Sequence, residues 1–293
     1  MNTCYFPGCS LTGTGREFDS SLREVVALVG EELKEIQDWS CCGASSAHVT
    51  SHLLSLALPA RNLVLAEQQG FESIFAPCAA CYNRLLGTGH ELRENNKLKN
   101  RVEEILDTKF ENNLKVVNII EFFRNIGLDK LAQFKKVDLS GIKVACYYGC
   151  LLVRPQSLIT SDDCEQPTSM EKLVIITGAE AVNWNYKTEC CGAGHSIAHT
   201  EIVEKLSKNI IDDAVAHGAE AIIVACPMCH SNLDMRQRNI KRDYKGHKEL
   251  PIFYLSEWLG LAFGIEYKKL GLNLHMVNTM PMIEKHIKQG AAV

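Results

Sequence analysis

Residues 70–81 of the chain read Gly70-Phe-Glu-Ser-Ile-Phe-Ala-Pro-Cys78-Ala-Ala-Cys81, and residues 218–229 repeat the pattern without a gap as Gly218-Ala-Glu-Ala-Ile-Ile-Val-Ala-Cys226-Pro-Met-Cys229. Apolar residues at helical spacing predict a helix before each glycine, over 53–69 and 202–217, and each glycine suits a helix C-cap. The short apolar run after each glycine predicts a buried strand that ends at a Cys-x-x-Cys motif. A helix followed by a buried strand is typical of an α/β fold.

The two halves of the 293-residue chain repeat each other. Besides the blocks above, three further pairs recur in the same order: Cys4-Tyr-Phe-Pro-Gly-Cys9 with Cys146-Tyr-Tyr-Gly-Cys150, Cys41-Cys42-Gly43-Ala44 with Cys190-Cys191-Gly192-Ala193, and Val117-Asn-Ile-Ile-Glu121-Phe with Phe253-Tyr-Leu-Ser-Glu257-Trp. This order predicts a duplicated metal-binding unit. We therefore expect an α/β protein of two pseudo-symmetric halves, residues 1–138 and 139–293, each with a small, mostly parallel sheet. The metal site of each half is expected beyond the carboxyl ends of the strands.

The composition excludes several classes of protein. Hydrophobic residues make up 46% of the chain and charged residues 23%, as in an ordinary soluble globular protein. The formal net charge is −4 with no basic blocks, which argues against a general nucleic-acid binder. The longest apolar stretches, 53–66 and 255–265, are interrupted by Arg61 and Glu257 and are too short to cross a membrane. No secretory signal is visible at the N-terminus, so we expect a cytoplasmic protein without membrane spans.

The 13 cysteines are the central feature of the sequence. Stable disulfides are disfavoured in a reducing compartment, which favours metal or redox chemistry. Each half carries a lone cysteine, a Cys-Cys pair and a Cys-x-x-Cys motif; these ten candidate ligands are Cys9, Cys41, Cys42, Cys78, Cys81, Cys150, Cys190, Cys191, Cys226 and Cys229. Thiolates suit zinc and iron–sulfur clusters, but a structural zinc ion is complete with four ligands. Five cysteines per half therefore favour a multi-iron centre over a zinc site with one spare, buried cysteine.

Three cysteines lie outside this pattern. Cys4 and Cys146 occupy matched strand positions, where we expect them to belong to the core or to lie behind the metal ligands. Cys164 has no counterpart in the other half.

The spacing resembles that of the Cys-Cys-Gly motif family, and within it the B subunit of heterodisulfide reductase. The family pattern is a cysteine, 31 to 39 residues, Cys-Cys, 35 to 36 residues and Cys-x-x-Cys; here the last gap of the second copy has 34 residues. The resemblance implies that each set of five cysteines holds a non-cubane 4Fe-4S cluster. It also implies a substrate, the mixed disulfide of coenzymes M and B in methanogenesis, cleaved between the clusters. The implied partners are the flavin-containing A and ferredoxin-like C subunits of that enzyme, in some complexes with a hydrogenase or formate dehydrogenase.

The resemblance also directs attention to side chains near the motifs. Protonation of departing thiolates makes His195, His48 and His199 candidate proton donors, although hydrogen bonding to the metal ligands is the commoner role of such histidines. An anionic substrate makes Arg154, Arg84 and Lys187 candidate substrate-binding residues, against the simpler interpretation of each as a surface charge. Beyond the clusters, no further catalytic residue is required.

Two hypotheses for the function remain open at this point. Two clusters flanking a disulfide can each deliver one electron, and they must then face each other across a cleft between the halves. The alternative is an electron-transfer subunit of another complex, since Cys-Cys-Gly pairs also occur in glycolate, lactate, succinate and fumarate oxidoreductases. The chain has no dinucleotide-binding or P-loop motif and no ferredoxin-type cysteine run, so its electrons are expected to come from another polypeptide.

Overall fold

The computed structural model describes residues 2–111 and 113–286. Eight strands in these ranges form two four-stranded sheets. The first sheet contains β1 (Thr3–Tyr5), β2 (Lys34–Glu35), β3 (Ser73–Phe75) and β4 (Lys115–Val117), and the second contains β5 (Lys143–Tyr147), β6 (Glu180–Ala181), β7 (Ala221–Val224) and β8 (Ile252–Tyr254). Both sheets are parallel throughout, and their orders, β2-β1-β3-β4 and β6-β5-β7-β8, are equivalent. The prediction of an α/β protein with two repeated halves is confirmed.

Helices connect the parallel strands in both halves. The first half contains α1 (Gly8–Thr12), α2 (Arg16–Leu28), α3 (Ala47–Thr50), α4 (His52–Gln68), α5 (Ala79–Glu94), α6 (Asn96–Leu106), α7 (Ile119–Ile126) and α8 (Leu128–Ala132). The second contains α9 (Ser169–Ile175), α10 (Thr200–Ala216), α11 (Pro227–Met235), α12 (Gln237–Asp243), α13 (Leu255–Ala262) and α14 (Met280–His286), with short 3-10 helices at Ala193–His195 and Leu272–Leu274. Within the described ranges, no helix has the length and apolar character needed to cross a bilayer.

The strand-to-helix turns place the Cys-x-x-Cys motifs. The strands β3 and β7 are entirely buried, and each leads into a helix whose N-cap is a cysteine, Cys78 before α5 and Cys226 before α11. The preceding helices α4 and α10 lie within two residues of the predicted bounds. Gly70 and Gly218, just after them, have φ of +77° and +81°, the left-handed conformation that a helix end requires.

The two halves pack directly on each other through α2 and α13. The rings of Phe18 and Tyr254 stack with centroids 4.2 Å apart, and the buried hydroxyls of Ser21 and Ser256 hydrogen-bond at 2.7 Å. The backbone N–H of Lys136, just before the predicted domain boundary, donates to Ala262 of the second half at 2.8 Å. The boundary at 138/139 stays a prediction.

Candidate metal centres

The structure brings the five candidate ligands of the first half together. Cys9 lies on α1, Cys41 and Cys42 lie in the loop after β2, and Cys78 and Cys81 lie at the start of α5. The Sγ atoms of Cys41 and Cys9 are 3.7 Å apart, and those of Cys42 and Cys81 are 3.3 Å apart. Loops and helix starts from separate parts of the chain therefore direct sulfur atoms to one place.

The second half repeats this arrangement. The Sγ atoms of Cys191 and Cys229 are 3.6 Å apart, and the thiol of Cys150 hydrogen-bonds that of Cys190. Cys229 also hydrogen-bonds Cys226, which completes the set of five. As in the first half, the Cys-x-x-Cys pair and the second cysteine of Cys-Cys are buried, whereas the first cysteine of Cys-Cys is exposed.

A glycine before each lone cysteine leaves room for the sulfur atoms. Gly8 and Gly149 both have φ of +65°. A Cβ at Gly8 would lie 2.8 Å from Cys81 Sγ, and a Cβ at Gly149 would lie 3.1 Å from Cys229 Sγ. Only glycine combines this backbone conformation with such a close approach.

Neighbouring thiols within each set shift one another's pKa values. Hydrogen bonding with the Cys41 and Cys81 thiols lowers the pKa of Cys42 to about 3, even though burial opposes this shift. In the second half, the bond from Cys150 lowers the pKa of Cys190 to about 6. One cysteine of each such pair is thus favoured as a thiolate, the form that iron–sulfur clusters bind, while the pKa of its partner is raised.

The positions of the lone cysteines favour a multi-iron centre over a four-ligand zinc site. Cys9 is exposed and lies within contact of Cys41, and Cys150 bonds Cys190, so neither is a spare cysteine buried in the core. All five thiols of each half belong to one sulfur network. The donor sets fit iron–sulfur clusters.

The two candidate centres adjoin each other. Cys78 and Cys226, both buried, lie close enough across the junction of the halves for each thiol to shift the pKa of the other. The chain thus places the two sets of ligands side by side.

A cavity of about 530 Å³ opens at this junction. The second half contributes all five of its candidate ligands to the walls, namely Cys150, Cys190, Cys191, Cys226 and Cys229. The first half contributes apolar residues of α5 and the side chains of His48, Val49 and Arg84. Within residues 2–111, no cysteine lines the cavity. A ligand bound there would contact the second set of sulfur atoms and not the first.

The six non-cysteine candidates fall in different places. Arg84 and His48 line the cavity. His195 and His199 are exposed beside it, with ring centroids 5.8 Å apart, and the charge of His195 acts on Cys190. Arg154 lies outside the cavity wall and pairs with Glu165 at 3.3 Å.

Lys187 is not in the cavity wall either. It is 5% exposed, and its Nζ lies 2.6 Å from Glu171 Oε1. The Glu171 carboxylate also accepts a hydrogen bond from the hydroxyl of Tyr148, which does line the cavity. The geometry gives Lys187 a structural partner behind the wall, which the sequence does not reveal because the two residues are 16 positions apart, Glu171 on α9 and Lys187 in a turn.

The remaining cysteines lie away from the sulfur networks. Cys4 on β1 and Cys146 on β5 are buried in the core, where the Cys4 thiol donates to the carbonyl of Ser73 and burial raises the pKa of Cys4 to about 12. Cys164 is partly exposed. The sequence analysis missed Asn232, whose side-chain NH₂ donates to the backbone oxygen of Cys191 at 3.2 Å. Its position on α11, three residues after Cys229, was the available signal.

Comparison with known proteins identifies the family. The model of the cysteine-rich CCG domain matches residues 3–86 and 144–234, once in each half. The chain belongs to this CCG family. The matched ranges contain all ten candidate ligands.

Among CCG relatives, the chain is 31% identical over 278 residues to the 8-methylmenaquinol:fumarate reductase membrane anchor subunit of Wolinella succinogenes, covering 94% of this chain and 96% of that protein. It is 27% identical to the B subunit of the ferredoxin/F420H2-dependent CoB-CoM heterodisulfide reductase of Methanosarcina acetivorans, covering 96% and 95%. The resemblance to the B subunit of heterodisulfide reductase is confirmed. These relatives are named as subunits of oxidoreductases.

One solved structure shares the fold. A hypothetical protein from Helicobacter pylori superposes with a TM-score of 0.73 at 15% identity, over 94% of this chain and 52% of that one. The chain thus spans about half the length of that protein. This likeness concerns the fold alone.

Proposed function

We propose that this chain is the catalytic subunit of an oxidoreductase complex and reduces a disulfide by two one-electron steps. The ten cysteines of the two CCG units would hold two non-cubane 4Fe-4S clusters, which supply single electrons when bound. The observation that carries the proposal is the cavity that the second-half cysteines share with Arg84 and His48. The partners of the chain would be two further subunits, one flavin-containing and one ferredoxin-like. A hydrogenase or formate dehydrogenase would be a further electron donor.

The cavity supplies what disulfide reduction requires. Cleavage of one S–S bond consumes two electrons and two protons and yields two thiols. Most of the cavity wall is apolar, and the Arg84 guanidinium, for which no ion pair is formed within the described residues, is available to fix an anionic group of the substrate. The His48 imidazole at the wall is placed to donate a proton to a departing thiolate.

The cofactor content is the first test of this function. Protein purified without oxygen is expected to contain iron and acid-labile sulfide in similar amounts, with about eight iron atoms per chain because each centre would hold four. Chemical analysis of iron, sulfide and zinc checks this. Protein rich in zinc and free of sulfide would contradict it.

Arg84 provides a test of the cavity. Arg84→Ala is expected to raise the KM for an anionic disulfide about 10-fold or more, because a hydrogen bond to a charged group contributes roughly 1.5–3 kcal/mol. The kcat should change less, and the KM for an uncharged disulfide should stay constant. Arg154→Ala removes the same charge from outside the cavity and is the matched control. Equal effects of the two substitutions on KM would contradict the assignment of Arg84.

A second candidate function is supported by the fumarate reductase relative, which is as similar to this chain as the heterodisulfide reductase subunits. In that case the chain would pass electrons within another complex and leave disulfides untouched. Steady-state assays with reduced viologen separate the two candidates. Oxidation of viologen that depends on added disulfide supports the first; reducible clusters without such turnover support the second.

A further inference from the structure

A second group of metal-binding side chains lies apart from the ten cysteines. His230 on α11, Glu257 on α13 and His275 just after the second 3-10 helix each offer one ligand atom, and these atoms lie within 4.8 Å of one another. His275 Nε2 is 2.9 Å from Glu257 Oε1, and both side chains are 0% exposed. Three separate parts of the chain therefore bring two imidazoles and a carboxyl group to one buried point.

The surroundings of this group are rich in buried carboxyls. Glu17, from the first half, accepts a hydrogen bond from Tyr254, and Asp234 accepts two from the backbone N–H groups of residues 276 and 277. Burial raises the pKa of both carboxyls and of Glu257, and the charge of His275 opposes the shift in all three. Three buried carboxyls thus lie near the His275 ring, and groups of this kind are stable in the interior only where their charges are compensated.

The two imidazoles are suited to bind a cation. His275 Nδ1 is buried and has no hydrogen-bond partner, which is costly for a polar atom in the interior. His230 Nε2 faces a backbone carbonyl oxygen, which can only accept a hydrogen bond, so the proton lies on Nε2 and Nδ1 is left to offer a lone pair. His230 Nε2–H donates to the backbone oxygen of Ile252 at 3.2 Å, which is how proteins commonly orient a histidine ligand.

We propose that His230, Glu257 and His275 supply three ligands of a zinc ion, whose fourth position would be taken by a water molecule. Neutral imidazole and carboxylate are donors that zinc accepts. None of the three residues lines the cavity that the second-half cysteines share with Arg84. The ion would therefore fasten the segment around His275 to α11 and α13, beside the contact with the first half, and would not act on a substrate.

The test uses the full chain with its cysteine sites filled with iron and sulfide, so that thiols do not compete for zinc. Cells are grown with zinc, and zinc is measured after anaerobic purification. We expect about one zinc ion per chain, with X-ray absorption showing nitrogen and oxygen ligands at about 2.0–2.1 Å. Sulfur ligands at about 2.3 Å would instead place the zinc at cysteines and overturn the proposal.

Substitution then locates the ion. His275→Gln is expected to lose the zinc while the iron content stays constant. The matched control is His52→Gln, because His52 Nε2 also lies 2.9 Å from a glutamate Oε1, that of Glu91, but on the surface. Wild-type protein that contains no zinc, or His275→Gln protein that retains it, overturns the proposal.

A measurement on the wild type alone covers the case in which His275→Gln does not fold. Removal of zinc with a chelator that leaves the iron in place should lower the midpoint of thermal unfolding, and added zinc should restore it. An unchanged midpoint after complete removal of a nitrogen- and oxygen-bound zinc overturns the fastening role. Infrared bands of protonated carboxyls in zinc-free wild type, with no response to added zinc, would show that protons alone neutralise the group.

Discussion

Cys229→Ser is expected to abolish viologen-driven disulfide reduction, whereas Cys81→Ser should retain a measurable part of it. The two residues are equivalent in the repeat, but only Cys229 lines the cavity. Loss of a ligand there removes the site that would contact the substrate. We expect the Cys229→Ser rate to fall by more than about 100-fold, since loss of a group that merely hydrogen-bonds a metal ligand already costs roughly 10- to 100-fold.

The Cys81→Ser variant decides how the two centres share the reaction. If the first centre passes electrons to the second, reduced viologen replaces it by reducing the second centre directly. If both centres act on the disulfide together, the two variants lose turnover equally, and our interpretation of the cavity is wrong. Spectroscopy must first show that the untouched centre remains in each variant. Cys164→Ser controls for the loss of a thiol outside both sulfur networks and is expected to behave as the wild type.

The fold was largely predictable because its main signals are local. The apolar runs around Ile74 and Ile222, with a glycine before and a Cys-x-x-Cys after, specify a buried strand between two helices in each half. Repetition of that signal predicts two equivalent sheets, and the equivalent strand orders agree with it. The pairing of the halves through α2 and α13 was not predictable, because Phe18 and Tyr254 are 236 positions apart and neither carries a local signal.

The candidate site was predictable to the extent that its residues repeat. The cysteine spacing predicts both sets of ligands, because the ligands of one centre must lie close together whatever conformation the intervening loops adopt. No sequence signal predicts that only the second set of cysteines lines the cavity. This difference depends on which side chains flank the junction of the halves, such as Arg84 and Val49. The group formed by His230, Glu257 and His275 is equally hidden, because among the described residues it has no counterpart in the first half and its members come from three separate parts of the chain.

The buried ion pair of Lys187 with Glu171 was not predictable from the sequence either, and breaking it is expected to lower the stability of the protein strongly. Lys187→Met is expected to lower the free energy of unfolding by about 3–5 kcal/mol, because removing one partner of a buried ion pair leaves the other charge uncompensated. Glu171 would then be the unpaired group, with its side chain 11% exposed. Denaturant titration under anaerobic conditions measures the change. Lys34→Met, which breaks an exposed pair with Glu32, is the matched control and should cost less than about 1 kcal/mol.

A double substitution separates this structural role from substrate binding. Lys187→Met combined with Glu171→Gln removes both charges while the amide oxygen still accepts the hydrogen bond from Tyr148, so most of the lost stability should return. Tyr148 forms part of the cavity wall and keeps its hydrogen-bond partner in both variants, so the KM for the disulfide should stay close to that of the wild type. A substrate-binding lysine behaves in the opposite way: Lys187→Met would then leave unfolding unchanged and raise the KM for anionic disulfides, and neutralising Glu171 would not lower that KM again.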